Sequence, residues 1–288
     1  MNNKILITGA SGLLGSRLFP FLKINNFNVF SQAKNNNADY QFDLTNSNDV
    51  TKSLNVLRPD IIVNLVAETN VDLCESDPNL SMVMNIRTVE NLASWIKNYH
   101  HGCFLIHIST DHLYDESGLN SEENVVIRNN YALSKYAGEI AASSVSSAIL
   151  RTNFFGKSAN SHRKSFTDWI YNSLNNNQSI SAYEDIYFSP LSISELINLI
   201  VVIINKKPQG IFNLGSRGSM SKADFIFRFA NLVNLEIKNI RRVRYFDQSS
   251  LVMRPSNMVM DCQKFEKMMN ITLPQLENLL KSVAAEYL

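Results

Sequence analysis

The sequence predicts an α/β fold, a doubly wound parallel sheet with a smaller C-terminal α/β lobe. Three observations predict it. Short β-branched, apolar runs alternate with amphipathic helical stretches through the first half of the chain. Three of the ten glycines crowd into Gly9-Ala-Ser-Gly12-Leu-Leu-Gly15, at the first strand-to-helix turn. Past residue 152 the alternation loosens, which marks the start of a lobe grafted on the sheet.

Element by element, Lys4–Thr8 reads as a buried strand and Leu13–Lys23 as a helix with Leu14, Leu18, Phe21 and Leu22 on one face. Phe27–Ser31 is the next strand and Ser47–Leu57 the next helix. Asp60–Val66 is a second buried apolar run, followed by one long amphipathic helix over Pro78–Lys97. Cys103–Ser109, a helix over Asn130–Ala142 and a strand at Ala148–Arg151 complete the alternation. Beyond it, helices are expected at 163–175, 192–205, 221–232 and 274–287, with short strands near 186–188 and 211–214. The domain reading is therefore 1–152 for the sheet domain, with returning segments near 190–215, and 153–288 for the lobe. The Asn runs at 35–37 and 175–177 read as loop tips.

Composition narrows the function classes. The 288 residues carry 27 Lys+Arg against 26 Asp+Glu, so the formal charge of +1 gives no footprint for nucleic acid. A hydrophobic share of 45% excludes disorder as the main state. Cys74, Cys103 and Cys262 are scattered without a C-x-x-C pair, which argues against a disulfide framework and fits a reducing compartment. His100, His101, His107 and His162 lack acidic or cysteine partners at ligand spacing, so no metal is expected. The longest apolar stretch, Leu191–Ile204, is interrupted by Glu195 and Asn198 and is too short for a bilayer. No signal peptide is evident, and the expectation is a soluble, cytoplasmic protein without a membrane partner.

The glycine turn has a mechanical meaning. Glycines at that spacing let backbone N–H groups approach a pyrophosphate at a helix N-terminus, with Ser11 adding a hydroxyl, and Gly9, Ser11, Gly12, Leu13, Leu14 and Gly15 become cofactor-binding candidates of a Rossmann-type domain. The alternative is a turn that serves only close strand–helix packing. The second strand should end at the residue that reads the adenosine ribose, and Ser31-Gln-Ala-Lys34 offers no acid. Lys34 with Ser31 favours NADP(H), with NAD(H) still usable, although Lys34 also fits a solvated loop lysine. Asp43-Leu44 and Leu65-Val66-Ala67 follow later strands, where ligands of open α/β sheets bind, while Asp43 equally suits the start of the helix near Ser47.

The chemistry concentrates in Ser109-Thr110-Asp111 and Tyr131-x-x-x-Lys135. Spacing i, i+4 puts Tyr131 and Lys135 on one helical face, where the ammonium stabilises phenolate and lowers the tyrosine pKa from about 10. Tyr131 is then a proton donor to a carbonyl oxygen, and Thr110 can hydrogen-bond the same oxygen. An incidental aromatic–lysine pair is the plain alternative.

In order along the chain, GASGLLG, NLVAETNVDLCESDP, HISTDHLYD, YALSKYAGE, RTNFFG, DIYFSPLSISEL and MRPSNMVMD together resemble the extended short-chain dehydrogenase/reductases, most closely the dTDP-4-dehydrorhamnose reductase family. The resemblance implies NAD(P)H-dependent reduction of a nucleotide-activated 4-keto-6-deoxy sugar for surface-polysaccharide synthesis. It implies Tyr131 as proton donor, Lys135 on the nicotinamide ribose and Thr110 in the same network. Asp111 would contact the sugar and Arg254 the nucleotide or diphosphate. Two departures, His112 where an aromatic is usual and Asn153-Phe154 where the rhamnose enzymes have a tryptophan, fall at positions that face the sugar in that family. The expected partner is a nucleotide-sugar substrate, with allowance for a homodimer. A nucleotide-sugar epimerase or dehydratase shares the turn and the Tyr–Lys pair, but a dehydratase would show an acid where His112 stands. A non-catalytic regulatory protein, like the regulatory subunit of methionine adenosyltransferase, also keeps this fold.

Overall fold

β1 (Ile5–Thr8) is buried at every residue, as a strand flanked on both sides must be. It pairs in parallel with β2 (Val29–Ala33) and β4 (Ile61–Asn64). The computed structural model describes residues 3–34, 38–159, 163–247 and 252–288. The loop tip expected at 35–37 and His162 fall outside the described residues. The chain divides into two compact units. One comprises Met1–Thr110, Asn129–Arg151 and Ile197–Ile211, the other Asp111–Arg128, Thr152–Leu196 and Phe212–Leu288. Among the described residues no helix is long and apolar enough to cross a membrane.

The first unit carries the sheet. After β1 come α1 (Gly15–Ile24), β2, β3 (Tyr40–Gln41), α2 (Ser47–Leu57) and β4. Then follow α3 (Val71–Ser76), α4 (Pro78–Met82), a π-helical turn over Val83–Arg87, α5 (Thr88–Tyr99) and β5 (Phe104–Ile108). α6 (Asn130–Ala142) and β6 (Ser147–Thr152) complete the alternation. The seven-stranded sheet has the order β11-β6-β5-β4-β1-β2-β3, where β11 is Gly210–Leu214, and its pairings from β3 through β6 are parallel. The order reverses beside β1, where doubly wound sheets open a crevice at their strand ends. Leu6, Ile62, Leu105 and Ile149 of the sheet pack with Val50 and Leu54 of α2 and Leu92, Trp95 and Ile96 of α5 in one core cluster.

The expected single helix over Pro78–Lys97 is interrupted. Its middle widens into the π turn, within which the Asn85 side chain accepts from Glu68 N at 2.8 Å and donates to Ser134 Oγ at 2.9 Å. Strand two begins two residues later than expected, at Val29 rather than Phe27, and runs on to Ala33.

The second unit is built of small pieces. β7 (Phe154–Phe155) pairs in parallel with β10 (Leu191–Ser192). β8 (Ile180–Tyr183) pairs with β13 (Ile240–Val243), and β9 (Tyr187–Phe188) lies between β12 (Met220–Ser221) and β14 (Asn257–Met258). Its helices include α7 (Phe166–Asn175), α9 (Lys222–Leu232), α10 (Gln263–Met269) and α11 (Leu276–Ala284), while α8 (Ile193–Lys206) contains the division between the units. α9 is capped by Ser221, whose Oγ accepts from Asp224 N at 3.0 Å. Phe155, Phe166, Phe188 and Phe225 form an aromatic cluster with centroid separations from 4.9 to 6.3 Å.

Candidate active site

The glycine turn sits between β1 and α1, as its sequence demands. Gly9 has φ +68°, and a Cβ there would lie 2.9 Å from Val66 Cγ2. A Cβ on Gly15 would meet Gly9 O at 2.6 Å, so these two glycines are fixed by packing. Gly12 differs. Its Cβ would meet only Gly9 O, at 3.2 Å, so its other side is open to a ligand. α1 has Leu14 at its N-cap position, with no side-chain cap and no acid in its first turn, whereas α2 and α6 are capped by Asn46 and Asn129. An uncapped helix start behind an open glycine fits a pyrophosphate, whose oxygens would take the free N–H groups. Ser11 is exposed, Leu13 half-buried and Leu14 buried beside the same turn.

At the end of β2 an acid folds back that the local sequence does not place there. Asp39 Oδ2 accepts from both Ser31 N (2.9 Å) and Ser31 Oγ (2.8 Å). Lys34, largely exposed, sets its Nζ 2.7 Å from Asp43 Oδ2. Burial raises the Asp43 pKa, but hydrogen bonds from Lys34 and Thr45 outweigh it and leave the carboxyl below its ordinary value. Asp43 also accepts from Thr45 N at 2.9 Å, so it serves the loop ahead of α2, which Asn46 caps. Leu44 is a core residue, with its carbonyl taken by Asn91.

A polar ladder crosses the strand ends beneath Leu65, Val66 and Ala67. The register sets Thr8 opposite Asn64 and Asn64 opposite His107. Thr8 Oγ1 donates to Asn64 Oδ1 (2.7 Å), and Asn64 Nδ2 lies 3.1 Å from His107 Nδ1. Burial first, and then the Lys135 charge, hold the His107 pKa well below its ordinary value, so the ring is neutral. Val66 N bonds to Asn64 Oδ1 at 3.3 Å, which ties the loop against Gly9.

α6 carries the expected catalytic pair and one residue more. Asn129 caps it by accepting from Ala132 N at 2.8 Å. Tyr131, Lys135 and Glu139 follow at four-residue intervals and are 7%, 2% and 1% exposed, so all three line one buried face. Lys135 Nζ donates to Ile108 O at 2.7 Å. Burial lowers the Lys135 pKa to about 8, against an opposing pull from Glu139, and the ammonium still predominates at pH 7. Glu139 is held by Arg151 through Nε at 2.9 Å and Nη2 at 2.7 Å, and it also accepts from Ser109 Oγ. The Glu139 carboxylate therefore anchors both α6 and the end of β5, the strand leading to Thr110. Thr110 is buried.

The second unit gathers a basic cluster. Asp111 is buried and its Oδ2 accepts from Asn153 Nδ2 at 2.8 Å. Lys222 sets its ammonium 3.5 Å from the Phe188 centroid and 4.9 Å from that of Phe166. Burial lowers the Lys222 pKa to about 8, with Asp111 opposing and Arg254 adding to the fall. His112 falls to about 3, from burial first and then the charges of Lys222 and Arg254. Arg254 lies 5.8 Å from the Tyr245 ring. Phe154 is half-buried in β7.

Sequence reasoning missed Glu139, Arg151, Asp39 and Lys222. Glu139 carried a signal, since it continues the i, i+4 spacing from Lys135. The others are brought to their partners by strand pairing and loop return, which no local pattern encodes.

The comparisons agree with this architecture. The dTDP-4-dehydrorhamnose reductase of Aggregatibacter actinomycetemcomitans is 26% identical, covering 98% of each chain. A methionine adenosyltransferase 2 subunit beta from Xenopus laevis is 25% identical over 93% of this chain and 83% of its own. The crystal structure of dTDP-4-dehydrorhamnose reductase from Bacillus anthracis in complex with NADP superposes with a TM-score of 0.88 at 25% identity, covering 99% of this chain and all of that one. The family model described as the RmlD substrate binding domain matches residues 3–288, and the chain belongs to that family.

Proposed function

We propose that the protein is a cytoplasmic NAD(P)H-dependent reductase of a nucleotide-activated 4-keto-6-deoxy sugar, acting in surface-polysaccharide sugar synthesis. The observation that carries the reading is the Tyr131–Lys135–Glu139 face of α6. It sets a tyrosine and an ammonium four residues apart, on a helix tied through Glu139 and Arg151 to the neighbouring strands. Family membership and the reductases among the relatives support it.

In this reading the first unit holds the dinucleotide. Gly9–Gly15 and the start of α1 would take its pyrophosphate, and Ser31, Lys34, Asp43, Leu65, Val66 and Ala67 would frame its adenosine half. When bound, the nicotinamide supplies a hydride to the keto carbon. The developing alkoxide takes the Tyr131 hydroxyl proton, so the C=O becomes CH–OH. Lys135 stabilises the phenolate left behind, and the Thr110 hydroxyl hydrogen-bonds the same oxygen. Asp111, His112, Phe154 and Arg254 of the second unit are assigned to the substrate.

His112 argues against dehydratase chemistry. A base at that place must pull a proton from the sugar, and an imidazole pushed down to about 3 is a poor one. The regulatory alternative predicts cofactor binding without turnover. The deciding experiment follows absorbance of the reduced nicotinamide while the protein is offered dTDP-4-dehydrorhamnose and other nucleotide-linked 4-keto sugars. Oxidation that requires both sugar and protein supports the proposal, and cofactor binding without turnover on any of them contradicts it.

A further inference from the structure

We infer that Glu139 is a positioning residue for the Tyr131–Lys135 pair, its Arg151-bound carboxylate fixing both the Lys135 ammonium and the strand end that carries Thr110. The inference rests on the reductase reading and deepens it, because it assigns a task to a buried ion pair that the proton transfer itself does not use.

Three consecutive residues at the end of β5 show how the parts are joined. Ile108 O accepts from Lys135 Nζ at 2.7 Å, Ser109 Oγ donates to Glu139 Oε1, and Thr110 comes next. Ser109 N donates to Leu150 O at 2.7 Å, and the residue after Leu150 is the Arg151 that holds Glu139 through Nε and Nη2. All of these residues belong to the first unit. Glu139 is thus the point at which α6, β5 and β6 meet. A shift of α6 along β5 would break the Lys135 and Glu139 contacts at once.

The same carboxylate answers a need for charge. A buried ion pair is weak evidence of stability, because its desolvation cost can exceed its attraction, and its best-attested service is to set register. Lys135 is 2% exposed, and Glu139, four residues on, opposes the fall in pKa that burial imposes on it. No other group around α6 does the same work. The remaining titratable side chains of α6 are the phenols of Tyr131 and Tyr136. On β5 His107 is a neutral ring, and on α3 the Cys74 thiol is pushed up to about 11. Glu68, ahead of α3, accepts from Asn70 N at 2.9 Å. Asp72, Glu75, Arg87, Glu90, Lys97 and Tyr99, on the elements packed against α6, are exposed. Without the Glu139 charge, Lys135 and Arg151 would be two buried cations. Arginine keeps its proton, so Lys135 would give up its own, and a neutral amine cannot stabilise the phenolate left on Tyr131.

The test follows the titration of Lys135 by NMR of isotope-labelled lysine Cε in the full-length protein, without cofactor or sugar, with its signal assigned through Lys135→Arg. Wild type should titrate at about 8. Glu139→Gln should titrate about one pH unit lower, because the attracting carboxylate is gone. That variant leaves Arg151 without its carboxylate and can unfold, so Glu139→Gln/Arg151→Met is made beside it. Removing both charges should return the urea midpoint toward wild type while Lys135 still titrates below wild type. In turnover of a 4-keto nucleotide sugar, the double variant should lose about 10- to 100-fold in kcat with KM changed less than about 3-fold. A merely structural pair would instead return the titration and kcat to wild type together with the stability. That result, an unmoved Lys135 titration in a folded variant, or failure of the double variant to fold overturns the inference. A titration that moves as expected in a protein that turns over no keto sugar would refute the reductase reading and leave the Glu139–Lys135 coupling standing.

Discussion

Lys34 enters the cofactor question with its charge already engaged. Its pair with Asp43 is exposed on the lysine side, and exposed pairs contribute roughly 0–1 kcal/mol. A 2′-phosphate carries more charge than a carboxylate and can draw the lysine away, so NADPH should still be preferred, by a few-fold. Two variants move the ratio in opposite directions. Lys34→Ala should bring kcat/KM for NADPH close to that for NADH. Asp43→Asn keeps an acceptor for Thr45 but releases Lys34, and should raise the NADPH preference by about 3- to 10-fold. Steady-state kinetics with both cofactors at fixed ionic strength checks this, and an unmoved ratio in both variants would remove Lys34 from the ribose site. The sequence left Lys34 open between phosphate binding and a solvated loop. It did not reveal Asp39, because eight residues separate that acid from the Ser31 it bonds.

Within elements, α6 and the π turn determine each other's geometry. A Cβ on Gly138 would lie 2.4 Å from the Asn85 carbonyl oxygen. In an open helix Gly→Ala is worth about 1 kcal/mol of added stability. Here the contact is with backbone, and overpacking of that kind costs about 1–3 kcal/mol, so the clash should win. Gly138→Ala is expected to lower the unfolding free energy by about 1–2 kcal/mol and to reduce kcat by shifting the Tyr131 helix. Urea unfolding measures the first, and an increase in stability would contradict the packing. The alternation of strands and helices was legible because buried parallel strands are short and uniformly apolar. The π turn was not, since Asn85 looks like any polar helix residue until Glu68 and Ser134 are placed beside it. β8 and β13 were missed for a related reason, since four-residue strands carry too little pattern to separate from loops.

Across the whole molecule, buried neutral histidine links stability to pH. His107 has a folded-state pKa well below the value near 6.5 that it regains on unfolding. Below that value the unfolded chain binds the extra proton, so the contribution is complete above about pH 6.5 and is lost as pH falls, by up to about 1.4 kcal/mol per unit. His112, lowered to about 3, acts in the same sense, so the urea midpoint should drop between pH 7 and 5, and His107→Asn should make the drop shallower without removing it. The sheet domain, the glycine turn and the Tyr131–Lys135 pair were readable from local spacing. The grouping of Asp111–Arg128 with the second unit, and the approach of Lys222 to His112, depend on long-range packing that one sequence does not display. The central claim is that Tyr131 protonates a sugar carbonyl as hydride arrives, and single-turnover oxidation of NADPH by Tyr131→Phe in the presence of a 4-keto nucleotide sugar tests it most directly. The account predicts a rate about 10²- to 10⁴-fold below wild type with an unchanged NADPH Kd, and a variant retaining more than about half of the wild-type rate would contradict it.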